Sequence, residues 1–277
     1  MKILLDNSTL LESLRPFNDL GFVPTMGGIH KGHLSLINKS NRLCKITIVS
    51  IFINPTQFSD GEDFTQYPKA IESDLEALQR EGVDVVFVPS VEEMYPSGFD
   101  TLVVPGTLSV HLEGKSRPNH LAGVATVVCK LFSIFRPDKA YFGQKDFQQY
   151  LVIERISRDL NLGVKVVLGE TIRSSDGLAL SSRNSYLSDL ERHAARALYQ
   201  ALTKARDLYS DGVRNCTDLK KAMMSIIDLE HLVELDYLGI GHPGSMIELE
   251  TIEADAIISI AAWVGSTRLI DNIYVSE

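Results

Sequence analysis

Phe22-Val23-Pro24-Thr25-Met26-Gly27-Gly28-Ile29-His30-Lys31-Gly32-His33-Leu34-Ser35-Leu36-Ile37 is the stretch on which the reading of this chain turns. Phe22 and Val23 end an apolar run of strand character, Gly27 and Gly28 permit a tight backbone path, and Leu34, Leu36 and Ile37 begin a helical apolar pattern. A strand passing through a glycine-rich turn into a helix is a unit of a parallel α/β sheet. Free N–H groups and the positive end of the helix dipole would face an anion held at that turn. His30 and His33, three residues apart, project from one side of the helix and can donate to phosphoryl oxygens.

The same rhythm extends outward to about residue 172. Ile46 to Ile53 is an almost unbroken apolar run, expected of a strand covered on both faces. Ile71, Leu75 and Leu78 form a helical stripe that Gly82 ends, and Asp84 to Val88 reads as the next strand. Strands are expected at Lys139 to Phe142 and Val164 to Leu168, with a helix from Phe147 to about Leu160 between them. Beyond residues 181–184 the pattern changes. Helices at Asp189 to Tyr209 and Thr217 to Leu229 precede strands at Leu232 to Gly239, Ala256 to Trp263 and Leu269 to Val275, which reads as a smaller α+β unit. Segment 172–185 reads as a short hinge.

With 277 residues, 44% of them hydrophobic and 23% charged, the chain can bury a large core. A net charge of −9 argues against a protein that binds by neutralising nucleic-acid phosphates and favours small-molecule partners. Cys44, Cys129 and Cys216 are odd in number and scattered, so neither a disulfide framework nor a zinc site is suggested. Asp6, Glu12 and Arg15 interrupt any secretory pattern, and Ala256 to Val264 is too short to span a bilayer as a helix. The expected location is the cytoplasm, with no membrane partner.

Several polar clusters follow strands, where ligands sit in open α/β sheets. Asn54-Pro55-Thr56-Gln57 leaves the buried strand with a carboxamide that can bind a carboxylate or hydroxyl without carrying charge. Gly143-Gln144-Lys145-Asp146 joins a strand to a helix. Asp146 and Gln149 have capping-box spacing, whereas Lys145 opposes the helix dipole unless an anion offsets it. Leu180-Ser181-Ser182-Arg183 supplies hydroxyls and a guanidinium suited to a triphosphate. Gly114-Lys115-Ser116 is no Walker A loop, because position 109 is Ser where that pattern needs glycine. Asp74 and Asp146 could reach a metal, and the protein ligands of any metal are left open.

His30-Lys31-Gly32-His33 resembles the H-x-G-H signature of nucleotidylyltransferases and class I aminoacyl-tRNA synthetases, which cleave nucleotides at the α-phosphate. Together PTMGGIHKGHLSLI, FINPTQF, LEGKSRPNHLAGV, AYFGQKDFQQ, DGLALSSRNSYL and the ending TRLIDNI resemble the pantothenate synthetase family across essentially the whole chain. Lys69 and Ser174-Ser175 depart from the family's usual wording. The resemblance implies an ATP-dependent ligase that condenses (R)-pantoate with β-alanine through a pantoyl-adenylate, releasing AMP and pyrophosphate. It implies an α/β fold: a Rossmann-like domain at 1–176 with a parallel sheet, plus a smaller α+β lid domain at 177–277. It also implies Mg²⁺ carried with ATP, and a homodimer.

Carried over residue by residue, the family's ATP site falls on Met26, Gly27, Gly28, Ile29, His30, Lys31, Gly32 and His33. It continues at Gly143, Gln144, Lys145, Asp146, Ile172, Leu180, Ser181, Ser182 and Arg183. Gln57 and Gln149 correspond to the pantoate site, Gln57 also to β-alanine, and His33 to the proton donor. His30, His33, Lys145 and Arg183 form the catalytic set. Two other readings bear on these residues: a nucleotidylyltransferase acting on a phosphorylated acceptor, which the neutral Gln57 and Gln149 disfavour, and a silent nucleotide-binding regulator.

Overall fold

Six strands pair into one parallel sheet in the computed structural model, which describes residues 1–5, 19–59 and 61–276. Asp6, Glu12 and Arg15, on which the expectation of no leader rests, lie outside the described residues. The strands are β1 (Lys2–Leu4), β2 (Leu20–Thr25), β3 (Ile46–Ile51), β4 (Val85–Phe87), β5 (Lys139–Gly143) and β6 (Lys165–Gly169), in the order β1-β4-β3-β2-β5-β6. The chain leaves β2 first toward β3 and later returns on its other side as β5. That reversal opens a crevice at the carboxyl ends of β2 and β5.

Both faces of the sheet are covered, which is why β3 is apolar almost throughout. On one side α1 (Lys31–Leu43) and α2 (Ile71–Arg80) pack Leu36, Ile37 and Leu78 against Val23, Val49 and Val86. After β4 come two short helices, α3 (Val91–Met94) and α4 (Leu112–Ser116). On the other side α5 (His120–Phe135) and α6 (Phe147–Asp159) pack against Phe22, Ile48, Phe87 and Ala140. Helix α5 has no counterpart among the elements expected from sequence. It is apolar nearly all round and buried along almost its whole length, so the one-sided stripe that betrays a surface helix is absent. Strand β3 ends two residues before the apolar run does, because Asn54 and Pro55 begin a 3-10 turn.

The remainder comprises α7 (Asp189–Ala194), α8 (Arg196–Ser210), α9 (Cys216–Ile227) and an antiparallel sheet of β7 (Val233–Gly241), β8 (Ala256–Val264) and β9 (Thr267–Val275). Helices α8 and α9 bury Leu198, Leu202, Leu219 and Met223 against Ile258, Ile260 and Ile273. The single helix expected from Asp189 to Tyr209 is interrupted at the buried Ala195, across which the apolar pattern continues unbroken. Segment 172–185 is no open linker. Arg173 and Ala179 bridge antiparallel, Leu180 N–H donates to Ile172 O at 2.9 Å, and a 3-10 turn follows at Ser182–Tyr186.

Candidate active site

The turn after β2 is built around Asp74. Gly27 and Gly28 have φ of +86° and +61°, left-handed values that favour glycine. The Asp74 carboxylate, only 4% exposed on α2, accepts the N–H groups of Gly28 at 2.9 Å and Ile29 at 2.8 Å. These N–H groups are therefore not free to meet an external anion, contrary to the expectation from sequence. The same contacts make Asp74 a buried brace, with both oxygens committed to the turn.

Helix α1 begins with His30 as its cap. Nδ1 of His30 accepts from Gly32 N–H at 3.1 Å, and Nδ1 of His33 accepts from His30 N–H at 3.4 Å. With both Nδ1 lone pairs in use, the ring protons sit on Nε2. The rings stack with centroids 4.1 Å apart and 27° between planes. Burial, then the nearby Lys145 cation, push His30 down to about 4. Burial, then His30 and Lys145, push His33 down to about 3. Each ring is therefore neutral at physiological pH and offers one N–H donor.

Gln57 closes the 3-10 turn Pro55–Gln57. Its Oε1 accepts from Asn54 Nδ2 at 3.2 Å, and its Nε2 donates toward Met26 Sδ at 2.8 Å. Its backbone carbonyl accepts from His120 Nδ1 at 2.7 Å and from the Arg117 guanidinium at 3.4 Å. Helix α5 presses on this turn: a Cβ on Gly123 would lie 2.2 Å from Thr56 O.

On α6, neighbouring glutamines have different fates. Gln148 is buried and spends its amide on Leu108 O, His111 O and Glu113 N–H, whereas Gln149 lines the cleft. Asp146 occupies the cap position without a side-chain cap bond, so the capping-box spacing with Gln149 forms no capping box. Lys145 Nζ lies 3.5 Å from Asp146 Oδ1. Arg183 is gripped by Asp63, Nε to Oδ2 at 2.8 Å and an Nη to Oδ1 at 2.7 Å, and Tyr186 OH donates to the same carboxylate. Ser182 Oγ donates to Gly28 O at 3.1 Å, tying its loop to the glycine turn.

These segments converge on one cleft of about 750 Å³, within the size range of small-molecule sites. From the first turn it receives Met26, His30, Gly32 and His33; from the strand exits Gln57, Gly143, Lys145, Asp146 and Gln149; from the hairpin Ile172 and Leu180 to Arg183. Gly27, Gly28, Ile29 and Gln144 do not line it, and neither does Lys31, which is exposed on α1.

Sequence reasoning missed a charged seam along the cleft. Glu113 on α4 receives both Arg268 Nη groups at 2.9 Å and Arg117 at 3.2 Å, and these cations hold its carboxyl down at about 2. Arg117 also pairs with Glu62, and Arg268 with Asp236 on β7. The i,i+4 spacing of Glu113 and Arg117 was the visible signal; the partners Glu62, Asp236 and Arg268 lie too far away in sequence to show. Among the described residues, no group of three or more His, Cys, Asp or Glu side chains is arranged to hold a metal ion.

A parallel sheet whose strand ends carry neutral histidine donors, a lysine and two carboxamides into one cleft is the arrangement of an α/β enzyme with a small-molecule site at its strand ends. The family model described as pantoate-beta-alanine ligase matches residues 5–274. A pantothenate synthetase from Dehalococcoides mccartyi is 51% identical over 93% of this chain and 96% of its own. The crystal structure of pantothenate synthetase from Thermus thermophilus superposes with a TM-score of 0.96 at 43% identity, covering 99% of both chains. A Francisella tularensis pantoate-beta-alanine ligase complexed with beta-gamma ATP and beta-alanine gives 0.83 at 34% identity, over 99% of this chain and 97% of its own. The chain belongs to the pantoate–β-alanine ligase family, and it is a ligase.

Proposed function

We propose that this chain condenses (R)-pantoate with β-alanine, consuming ATP and releasing AMP and pyrophosphate through a pantoyl-adenylate. The observation that carries the reading is the stacked, neutral His30–His33 pair beside Lys145, in the same cleft as the uncharged carboxamides of Gln57 and Gln149. The likeness to the ligase complexed with beta-gamma ATP and beta-alanine supports the choice of co-substrates.

In the first step a pantoate carboxylate oxygen bonds to the α-phosphorus as the bond to the bridging oxygen breaks and pyrophosphate leaves. A carboxylate needs no strong base, so the residues chiefly position and neutralise. Nε2–H of His30 and His33 donate to the α-phosphoryl oxygens, while Lys145 and Arg183 serve the departing pyrophosphate. Arg183 reaches it by leaving or sharing Asp63. Gln57 and Gln149 hold pantoate, and Gln57 also meets β-alanine. In the second step the neutral amine attacks the acyl carbon, AMP leaves, and the nitrogen sheds a proton. Residues 1–176 carry pantoate and most of the ATP site, while residues 177–277, the 181–183 loop among them, cover the adenylate against water.

Mg²⁺ bound with ATP would supply charge neutralisation for the phosphates. Mg²⁺ tolerates few protein ligands, and of the cleft carboxylates Asp146, whose side chain is 43% exposed, and the exposed Glu170 would be the ones to meet it. A phosphorylated acceptor is disfavoured because the cleft arginines Arg117 and Arg268 are already paired with Glu62, Glu113 and Asp236. The active form is a homodimer in the cytoplasm. Among the described residues no helix is long and apolar enough to cross a membrane.

Purified protein with ATP and Mg²⁺ is expected to release pyrophosphate only on addition of pantoate, and AMP once β-alanine follows. Release without pantoate, or only with a phosphorylated acceptor, sinks the reading. Analytical ultracentrifugation should give about twice the monomer mass.

A further inference from the structure

The C-terminal motif Thr267-Arg268-Leu269-Ile270-Asp271-Asn272-Ile273 supplies none of the catalytic groups described above, yet it lies on β9 against them. Successive residues of a strand face opposite sides, and Asp271 and Asn272 use this to reach two separate loops. Asn272, 4% exposed, donates from one Nδ2 to the carbonyls of both Gln144 at 2.9 Å and Lys145 at 2.8 Å. Two carbonyl acceptors at these distances require the NH₂ end of the amide. From the opposite face Asp271, 2% exposed, receives both Nη groups of Arg173 at 2.5 and 2.9 Å. Arg173 in turn donates to Gly177 O at 3.1 Å, closing the hairpin that delivers Leu180 to Arg183 to the cleft.

We propose that Asn272 and Asp271 are positioning residues that set Lys145 and the 181–183 loop against one nucleotide. Asn272 is the decisive one, because it clasps the backbone of Lys145 itself. Without that clasp the Lys145 turn loses its register with the histidine pair, although Lys145 and His33 remain in the chain. The inference rests on the proposed role of Lys145.

The test is a kinetic double-mutant cycle between Asn272→Ala and Lys145→Ala. Asn272→Ala should lower kcat for pantoate-dependent pyrophosphate release by about tenfold or more, since a small displacement of a preorganised group is costly. KM for pantoate should stay near wild type, because Gln57 and Gln149 are untouched. The double variant should be no slower than Lys145→Ala alone. Multiplicative losses, or a folded Asn272→Ala enzyme with kcat within twofold of wild type, overturn the proposal. If Asn272→Ala does not fold, Asn272→Ser, which keeps one donor, takes its place; failure of both to fold assigns Asn272 to scaffolding and also overturns it. Calorimetry with ATP and Mg²⁺ reads the same coupling without pantoate. An inactive wild type thus counts against the functional reading, whereas additive ATP affinities count against this one.

Discussion

His30 and His33 act as donors because their surroundings keep them neutral. Two outcomes follow for single residues. His33→Ala removes one preorganised donor and should cut kcat for pyrophosphate release by about a hundredfold or more, with circular dichroism and melting close to wild type. Turnover near wild type would reduce His33 to a capping residue. The second outcome concerns pH. The unfolded chain binds protons near the ordinary histidine value of 6.5, whereas His30 and His120 wait until about 4 and His33 until about 3, all chiefly through burial. Across that window the unfolded state holds more protons, so stability falls as pH drops below 6.5, by roughly 1.4 kcal/mol per pH unit for each histidine. Urea denaturation at about pH 7 and about pH 5 measures it; stability that does not change between the two would contradict the neutral pair. The histidines, Lys145 and Gln57 were legible in sequence because each stands at a strand exit. Asp74 was not, since a carboxylate on a helix looks solvated until the fold turns it onto the glycine loop.

Elements decide which of two like residues works. On α6, Gln148→Ala would strand the carbonyls of Leu108 and His111 and the N–H of Glu113, costing about 1–3 kcal/mol, with little change in KM for pantoate. Gln149→Ala should do the reverse, raising KM for pantoate with stability unchanged. Kinetics and thermal melts of the pair settle the assignment, and exchanged phenotypes would move the substrate amide to Gln148. Helix α5 governs the other amide. Gly123→Ala puts a Cβ 2.2 Å from Thr56 O, which should cost about 1–3 kcal/mol through overpacking and displace Gln57. A Gly123→Ala enzyme with wild-type melting and KM would show that the turn yields freely. Strands and amphipathic helices were readable from their periods, but α5 was not, because a helix buried all round has no stripe.

For the whole molecule, the seam of Glu62, Glu113, Arg117, Asp236 and Arg268 joins the parallel sheet's loops to the antiparallel sheet. Arg268→Ala leaves Glu113 buried beside a single remaining arginine and should destabilise by about 3–5 kcal/mol. Adding Glu113→Gln should recover part of that loss by removing the stranded charge; no recovery in chemical denaturation would argue against a charge effect. The alternation of strands and helices, the H-x-G-H turn and the polar strand exits are legible from the chain alone, because these are local patterns written in neighbouring residues. Folding in three dimensions is what sets Asp74 in the glycine turn, Asp63 on Arg183 and β9 against Lys145. Each of these contacts joins residues dozens of positions or more apart, and no local period or propensity encodes which distant partner a buried polar group will meet.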